Sequence, residues 1–426
     1  MAPPLGSVLR SRNFLFLSFA GAMSQLGDRL SHMLLITIIG LSAPGKLLAY
    51  AGGSLTFVLP TLLLSPIAGV LVDHWDKRKT IARTHFIQTA ILALTPIAII
   101  LTRSFTPFWV ALALFFGLDI FNNTANPALL PNLITRDQLL AANSVSLFFS
   151  RIATVLGMVI GGFLIKWVGW QNGIWIDSTC HLIAGMLVLN IALKKDSPLE
   201  TPGQTGIAGK QLPSLIGNAF VQFFRELAEV THLVFINRLV AFVLASIIIS
   251  TFISSVAYTI LIYLIQQVLG MGTAGVGIFA GVLAIGMIGG ALGMGFVPKD
   301  INRAKIVVAV IFAYGLLFLI GQWLITLWFM VVVALIAGVA FSWLGIVQNT
   351  ILQEEVDAGI RGRIFSTREF ITNATFLGTT LFIGTLGDLT SYRIALVVIG
   401  ASLTLLGLAG WFLVSGSKFQ VTSAEN

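Results

Sequence analysis

Charge is what this chain has least of. Only 10% of its 426 residues are Asp, Glu, Lys or Arg, while 57% are hydrophobic. Ordinary soluble domains carry roughly a quarter charged residues, so a soluble enzyme of this length would be unable to cover its surface. The single cysteine, Cys180, excludes an intramolecular disulfide, and five scattered histidines offer no metal-type Cys/His spacing. No Gly-Lys-Ser/Thr follows the Gly-rich runs 157–162 and 281–295, which argues against a phosphate-binding loop and against ATP-driven work. No paired His or Ser/His/Asp cluster sits at one membrane interface, which removes the usual machinery of a membrane enzyme. The period-two alternation of an outer-membrane barrel is missing as well.

What is present is a series of continuous apolar runs. A window of about 20 such residues crosses the hydrocarbon core. The runs fall at roughly 13–40, 47–72, 80–102, 106–127, 143–167, 170–193, 236–267, 274–297, 303–322, 325–350, 364–387 and 391–415. This predicts an all-α polytopic membrane protein with twelve transmembrane helices. Arg10 and Arg12 precede an apolar run too long for a signal-peptide core, so the first run is expected to be a retained span.

Basic residues set the expected orientation. With both termini cytoplasmic, nineteen Lys and Arg fall in cytoplasmic segments, and only Lys46, Arg103, Lys166 and Arg393 fall outside. The net charge of +8 is therefore a topology signal and not a nucleic-acid footprint. The longest polar stretch divides the chain into an N-terminal six-helix bundle over 1–193, a cytoplasmic linker over 194–235 and a C-terminal bundle with a short tail over 236–426. Within the linker, Leu215, Ala219, Phe223 and Leu227 share one helical face, as an amphipathic surface helix requires. The halves echo each other: Gly69 to Lys79 joins spans two and three, and Gly295 to Lys305 joins spans eight and nine. A six-plus-six duplication of this kind places a transport site between repeats near the midplane.

Polar residues inside spans are costly, about 2.5–3.5 kcal/mol for a central Asp or Arg on insertion scales, so each needs a partner or water. Span one carries Ser24, Gln25, Asp28, Ser31 and His32 at three- and four-residue spacing, one stripe on one face. Arg29 lies about 100° further round and is free to pair with Asp28 or Asp119. Span four repeats the device with Asp119, Asn122, Asn123 and Asn126. Desolvation favours a neutral carboxyl and a facing guanidinium favours an ionised one. A carboxylate poised between the two is what proton exchange needs, and Asp28 is the first choice for that role. Span seven offers Ser254 and Tyr258 among hydroxyls that serve packing and cavity lining alike. In span six, Asp177 and His181 are one turn apart, and a local structural hydrogen bond is ranked above a proton relay. In span ten, Trp343 is a candidate to face the cavity.

The segment Gly69-Val-Leu71-Val-Asp73-His-Trp-Asp76-Lys77-Arg78-Lys79 resembles the signature loop of the major facilitator superfamily. Asn126-Pro127-Ala128-Leu129-Leu130-Pro131 and the following Gln138 to Ser144, with Ile176-Asp177 and Arg361-Gly362-Arg363, resemble the drug:proton antiporter-3 group of macrolide efflux pumps and siderophore exporters. A more distant likeness, through Gly27-Asp28, is to lysophospholipid flippases. The resemblance implies the two-bundle major facilitator fold, with spans one, four, seven and ten lining a central cavity. It also implies a conformational latch at Asp73, involving Gly69, Lys77, Arg78, Arg151, Arg363, Arg368 and Glu369. The implied activity is secondary export of a small amphipathic or hydrophobic molecule by alternating access with proton antiport. A flippase for lysophospholipid or another lipid, and a siderophore exporter, are the alternatives. No cofactor or metal is expected. The expected partners are the substrate, protons and membrane lipids around a monomer in the cytoplasmic (inner or plasma) membrane.

Overall fold

Hydrocarbon leaves backbone N–H and C=O groups no partner but each other, so apolar runs of this length fold as helices. The computed structural model describes residues 8–135, 138–192, 212–294, 296, 302–355 and 358–415, and these are nearly all helical. In chain order the helices are α1 (Arg12–Ser42), α2 (Leu47–Gly53), α3 (Leu55–His74), α4 (Lys77–Thr102), α5 (Thr106–Leu129), α6 (Leu139–Leu189) and α7 (Leu212–Ile236). They continue with α8 (Arg238–Val256), α9 (Gly272–Met294), α10 (Arg303–Gly321), α11 (Leu327–Glu355), α12 (Ala358–Leu389) and α13 (Tyr392–Ser415). Two π-helical turns, Ala257–Leu261 and Leu264–Val268, prolong the span that α8 begins.

Among the described residues, ten stretches are long and apolar enough to cross a membrane. One of them lies in α6, whose 51 residues would reach about 76 Å if straight, against a core of about 30 Å. The helix is broken at Gly169, where φ 80° and ψ 166° suit only glycine. A methyl added at Gly173 would lie 3.3 Å from Ile165, so the chain has doubled back there. α6 is therefore two spans. α1, with 31 residues, is also long enough to cross, its hydropathy lowered by the polar stripe. The expected twelve transmembrane helices are accounted for.

By packing, the described residues fall into two units, one comprising the chain up to Ser42 with Leu55–Phe223, the other Ala43–Ser54 with the chain from Phe224. In the first unit α1 packs chiefly on α6, α4 on α5 and α6, and α3 on α5. The α1–α6 approach is made by small residues four apart, as in many membrane helix pairs. A Cβ on Gly157 would meet the Arg29 side chain at 2.7 Å, and one on Gly161 would meet Leu30 at 3.0 Å. Phe14, Leu17, Val72, Ile81, Ala125, Leu129 and Val188 form a dry core at one end. Beside it, Arg78 donates to the last carbonyls of α6, Val188 at 3.3 Å and Leu189 at 2.5 Å. Outward-facing Leu94, Ile100, Leu101 and Ile160 are exposed, as suits a lipid-facing surface. Cys180 is buried and unpaired with any other thiol.

In the second unit α9 packs on α11, α10 on α13, and α12 on α2 and α8. Gly290 brings α9 against the backbone of Val339. The short α2 is tied down by polar contacts: Asp388 accepts from Leu47 N at 2.7 Å and Leu48 N at 3.2 Å. The Tyr50 hydroxyl donates to Gln266 at 2.6 Å, and the Ser54 and Thr380 hydroxyls lie 3.0 Å apart.

Candidate functional site

The α1 stripe faces α6 and, through Ser24, α5 inside the first unit. Asp28, midway along α1, is only 4% exposed. Its Oδ2 accepts from Gln25 Nε2 at 3.3 Å, and Gln25 Oε1 in turn accepts from Thr154 on α6 at 3.3 Å. Its Oδ1 faces His181 Nε2 at 3.8 Å. Asp177 stands one turn before His181, its Oδ1 3.5 Å from the same nitrogen and its Oδ2 accepting from Ser31 at 2.5 Å. Asp177 and His181 are both fully buried. Glycine makes this convergence possible, because a Cβ on Gly27 would sit 2.5 Å from His181 Nε2.

Behind His181 lies a second polar layer on α4. His85 Nδ1 is 3.3 Å from His181 Nδ1 and 3.2 Å from Gln88 Oε1, and Gln88 Nε2 donates to the Phe115 carbonyl at 3.2 Å. The Phe115 ring stands edge-on to His181 with centroids 4.9 Å apart. Ser178 donates to the Thr89 carbonyl at 2.9 Å and staples α6 to α4.

Of the other expected residues, Asp119 accepts from Asn123 at 2.7 Å, and buried Asn122 donates to Ser24 at 3.3 Å. Asn126 approaches Gly21 of α1. His32 departs from the stripe and packs between Phe57 and Phe116, at centroid distances of 5.0 and 4.9 Å. The pairing left open to Arg29, with Asp28 or Asp119, is not formed. Among the described residues no carboxylate lies within 4.0 Å of Arg29, and its Nε is buried without a hydrogen-bond partner. The α1 acid instead has histidine for its neighbour. Sequence reasoning passed over His85 and Gln88 and ranked Asp177 and His181 as structural. The usable signal was the cost of four polar residues in two otherwise apolar spans.

A profile of the Major Facilitator Superfamily matches residues 17–374. The chain belongs to this superfamily. It is 23% identical over 194 residues to an uncharacterized MFS-type transporter, YkuC, of Bacillus subtilis (strain 168), covering 45% of this chain and 44% of the relative. It is 29% identical over 110 residues to an uncharacterized MFS-type transporter, Rv0037c, of Mycobacterium tuberculosis (strain H37Rv), covering 26% and 25%. The matches thus span less than half the length of these curated relatives. Among solved structures, a bacterial homolog of the human lysosomal transporter Spinster shares the fold at TM-score 0.70 and 13% identity, covering all of both chains. A peptide transporter, POT, matches at TM-score 0.72 and 14% identity over 96% of this chain and 95% of its own. Family and fold are those of secondary transporters and not of enzymes.

The superfamily signature loop is only partly a site of contacts. Asp73 and Arg151 are exposed, Gly69 has open space beside it, and Lys77 opens α4. Arg78 is engaged with the end of α6 as described. In the second unit Arg368 donates to Asn349, and Glu369 is exposed. The side chain of Arg363 lies outside the described residues, as do the linker over 197–211 and most of the second-half loop over 297–301. Ser254 donates back to the Ser250 carbonyl at 2.9 Å, and Tyr258 packs edge-on to Phe376 at 5.4 Å. The Trp343 indole N–H donates to the Gly290 carbonyl at 2.8 Å, fixing it between α9 and α11.

Proposed function

We propose that this superfamily member exports a small amphipathic or hydrophobic molecule by alternating access, driven by proton antiport. Asp28 is the coupling residue. The observation that carries the reading is a carboxylate buried midway along a membrane helix, one oxygen without a hydrogen bond and 3.8 Å from His181, and no arginine among the described residues within 4.0 Å. Such an acid is expensive when ionised without a partner, and an intramembrane carboxylate is a functional-site candidate, proton relays among the roles it marks. The distribution of basic residues supports a topology with both termini on the cytoplasmic side, and the membrane is taken to be the inner or plasma membrane. The protein is taken to act as a monomer.

The test is transport in inverted vesicles, with a drug panel and a labelled lysolipid side by side. Asp28→Asn keeps shape and hydrogen bonding but removes the titratable charge. It is expected to abolish pH-gradient-driven uphill transport while leaving counterflow exchange of the same substrate. If Asp28→Asn still concentrates substrate against its gradient, Asp28 does not couple. Transport of the lysolipid alone, independent of a pH gradient, would favour the flippase alternative.

A further inference from the structure

Two carboxylates of the first unit converge on one imidazole, and a chain of hydrogen bonds determines which way that imidazole can donate. Gln88 uses its amide N–H on the Phe115 carbonyl, so Gln88 Oε1 is left as an acceptor facing His85 Nδ1. His85 Nδ1 must then carry the proton. The same nitrogen lies 3.3 Å from His181 Nδ1, which therefore presents its lone pair. The proton of a neutral His181 sits on Nε2, where Asp177 Oδ1 and Asp28 Oδ1 both face it, at 3.5 and 3.8 Å. One N–H stands against two acceptors, beyond hydrogen-bond length from each. His181 Nε2, Asp28 Oδ1 and Asp177 Oδ1 are all buried atoms without a hydrogen-bond partner, and both carboxyl oxygens lie within 3.8 Å of that nitrogen; Asp119 Oδ1 on α5 is buried and unpartnered as well.

Charge balance sharpens the point. The charged groups around Asp28 include Arg29 on its own helix, Asp119 on α5, which also bears on His181, and Asp177 on α6, with His181 Nε2 itself 3.8 Å away. His181 and Cys180 share α6 with Asp177, His85 lies on α4, and His32 is held among rings on the far side. Three ionised carboxylates against one guanidinium would leave two uncompensated negative charges in a water-poor interior. Burial of that kind is relieved by taking up protons. Two acids that share a site cannot both ionise freely.

We infer that Asp28, His181 and Asp177 form one proton-sharing site, in which a single proton is held between the two carboxyl groups beside His181 Nε2. His85 and Gln88 are positioning residues that fix the His181 tautomer, and Ser31 orders Asp177 through its 2.5 Å hydrogen bond. This rests on the proton-coupled reading of Asp28 and adds that the coupled proton belongs to α1 and α6 together. Release then follows from any movement that parts the α1 oxygen from the α6 pair. No redox or covalent step is involved: the proton leaves one carboxyl oxygen for water, and the site returns to two carboxylates.

The experiment is infrared difference spectroscopy of the purified full chain in detergent across a pH titration, in H2O and D2O. The wild type is expected to show one titrating carboxylic-acid carbonyl band, downshifted in D2O. That band should be lost in Asp28→Asn and equally in Asp177→Asn. Ser31→Ala retains both acids and should only move its titration midpoint, as should Gln88→Leu. Ser31→Ala keeps the test decisive if an Asp177 variant does not fold. Overturning results are a wild type without the band, a band that persists unchanged in Asp177→Asn, or a midpoint unmoved in both Ser31→Ala and Gln88→Leu. Vesicle transport separates the two ideas. Loss of uphill export in Asp28→Asn with an unchanged band in Asp177→Asn would sink the shared site and leave the coupling reading standing. Normal uphill export in Asp28→Asn, with the one band lost in both Asp28→Asn and Asp177→Asn, would do the reverse.

Discussion

Gly27→Ala adds a methyl where the first unit has no room for one. The new Cβ would lie 2.5 Å from His181 Nε2, 2.8 Å from Asp177 Oδ1 and 2.9 Å from His181 Cδ2. Contacts to carbon settle at about 3.5 Å, so the imidazole or α1 must retreat by about 1 Å. The ring is hemmed in by His85 at 3.3 Å and by the edge of Phe115, which leaves backbone displacement as the main escape. Overpacking of this kind costs about 1–3 kcal/mol. Equilibrium unfolding in mixed micelles would measure it, in the wild-type background and in His181→Ala. Removing the ring deletes two of the three short contacts, so most of the penalty should vanish there. A coupling of about 1 kcal/mol is expected between the two sites, within the range for residues in contact. Additivity to within about 0.5 kcal/mol would show that the α1–α6 approach is looser than these distances require, and the cluster argument would lose its steric basis.

Two shorter predictions concern other elements. Asp388→Ala removes both side-chain acceptors at the start of α2, whose preceding Lys46 makes no side-chain cap. A loss of about 1 kcal/mol is expected, with faster hydrogen exchange confined to Leu47 and Leu48, and unchanged exchange there would refute the cap. A reporter inserted within 197–212 should respond as cytoplasmic and one beside Arg103 as external, and labelling of 197–212 from outside would reverse the assigned orientation.

How much of this was legible beforehand follows from the range of the forces involved. Spans are local: an apolar run of sufficient length has one outcome in a bilayer, and the apolar runs of the sequence, with the reversal at Gly169 and the polar-striped α1 counted, come to twelve. Even the reversal at Gly169 lies between the expected spans five and six, since a glycine between two apolar runs is a local signal. The stripe on α1 was equally visible from residue spacing. Its partner was not. Arg29 is adjacent to Asp28 in sequence, and charge complementarity suggested pairing, but adjacent residues on a helix point about 100° apart. The real neighbours, Asp177 and His181, come from span six, with His85 of span three behind them, and only packing decides that these faces meet. The same holds for residues 43–54. Their hydropathy runs on into α3, yet their contacts through Asp388, Gln266 and Thr380 are with the second unit. Gly27 shows the reverse case, a residue whose importance is visible only once the atoms around it are known.

The buried thiol has a practical consequence. Cys180 is the one cysteine in the sequence and is closed off within the bundle. A nucleophile that reagents cannot reach is silent, so the native chain is expected to behave as a blank for maleimide and methanethiosulfonate chemistry. Cysteines placed singly along α1, α3 or α12 can therefore be scanned by accessibility without first altering the cluster beside Cys180. Spin labels or fluorophores attached in pairs would then report distances in a protein whose acid–histidine site is untouched. Modification of Cys180 itself would carry separate information, because it requires the helix bearing Asp177 and His181 to open to solvent.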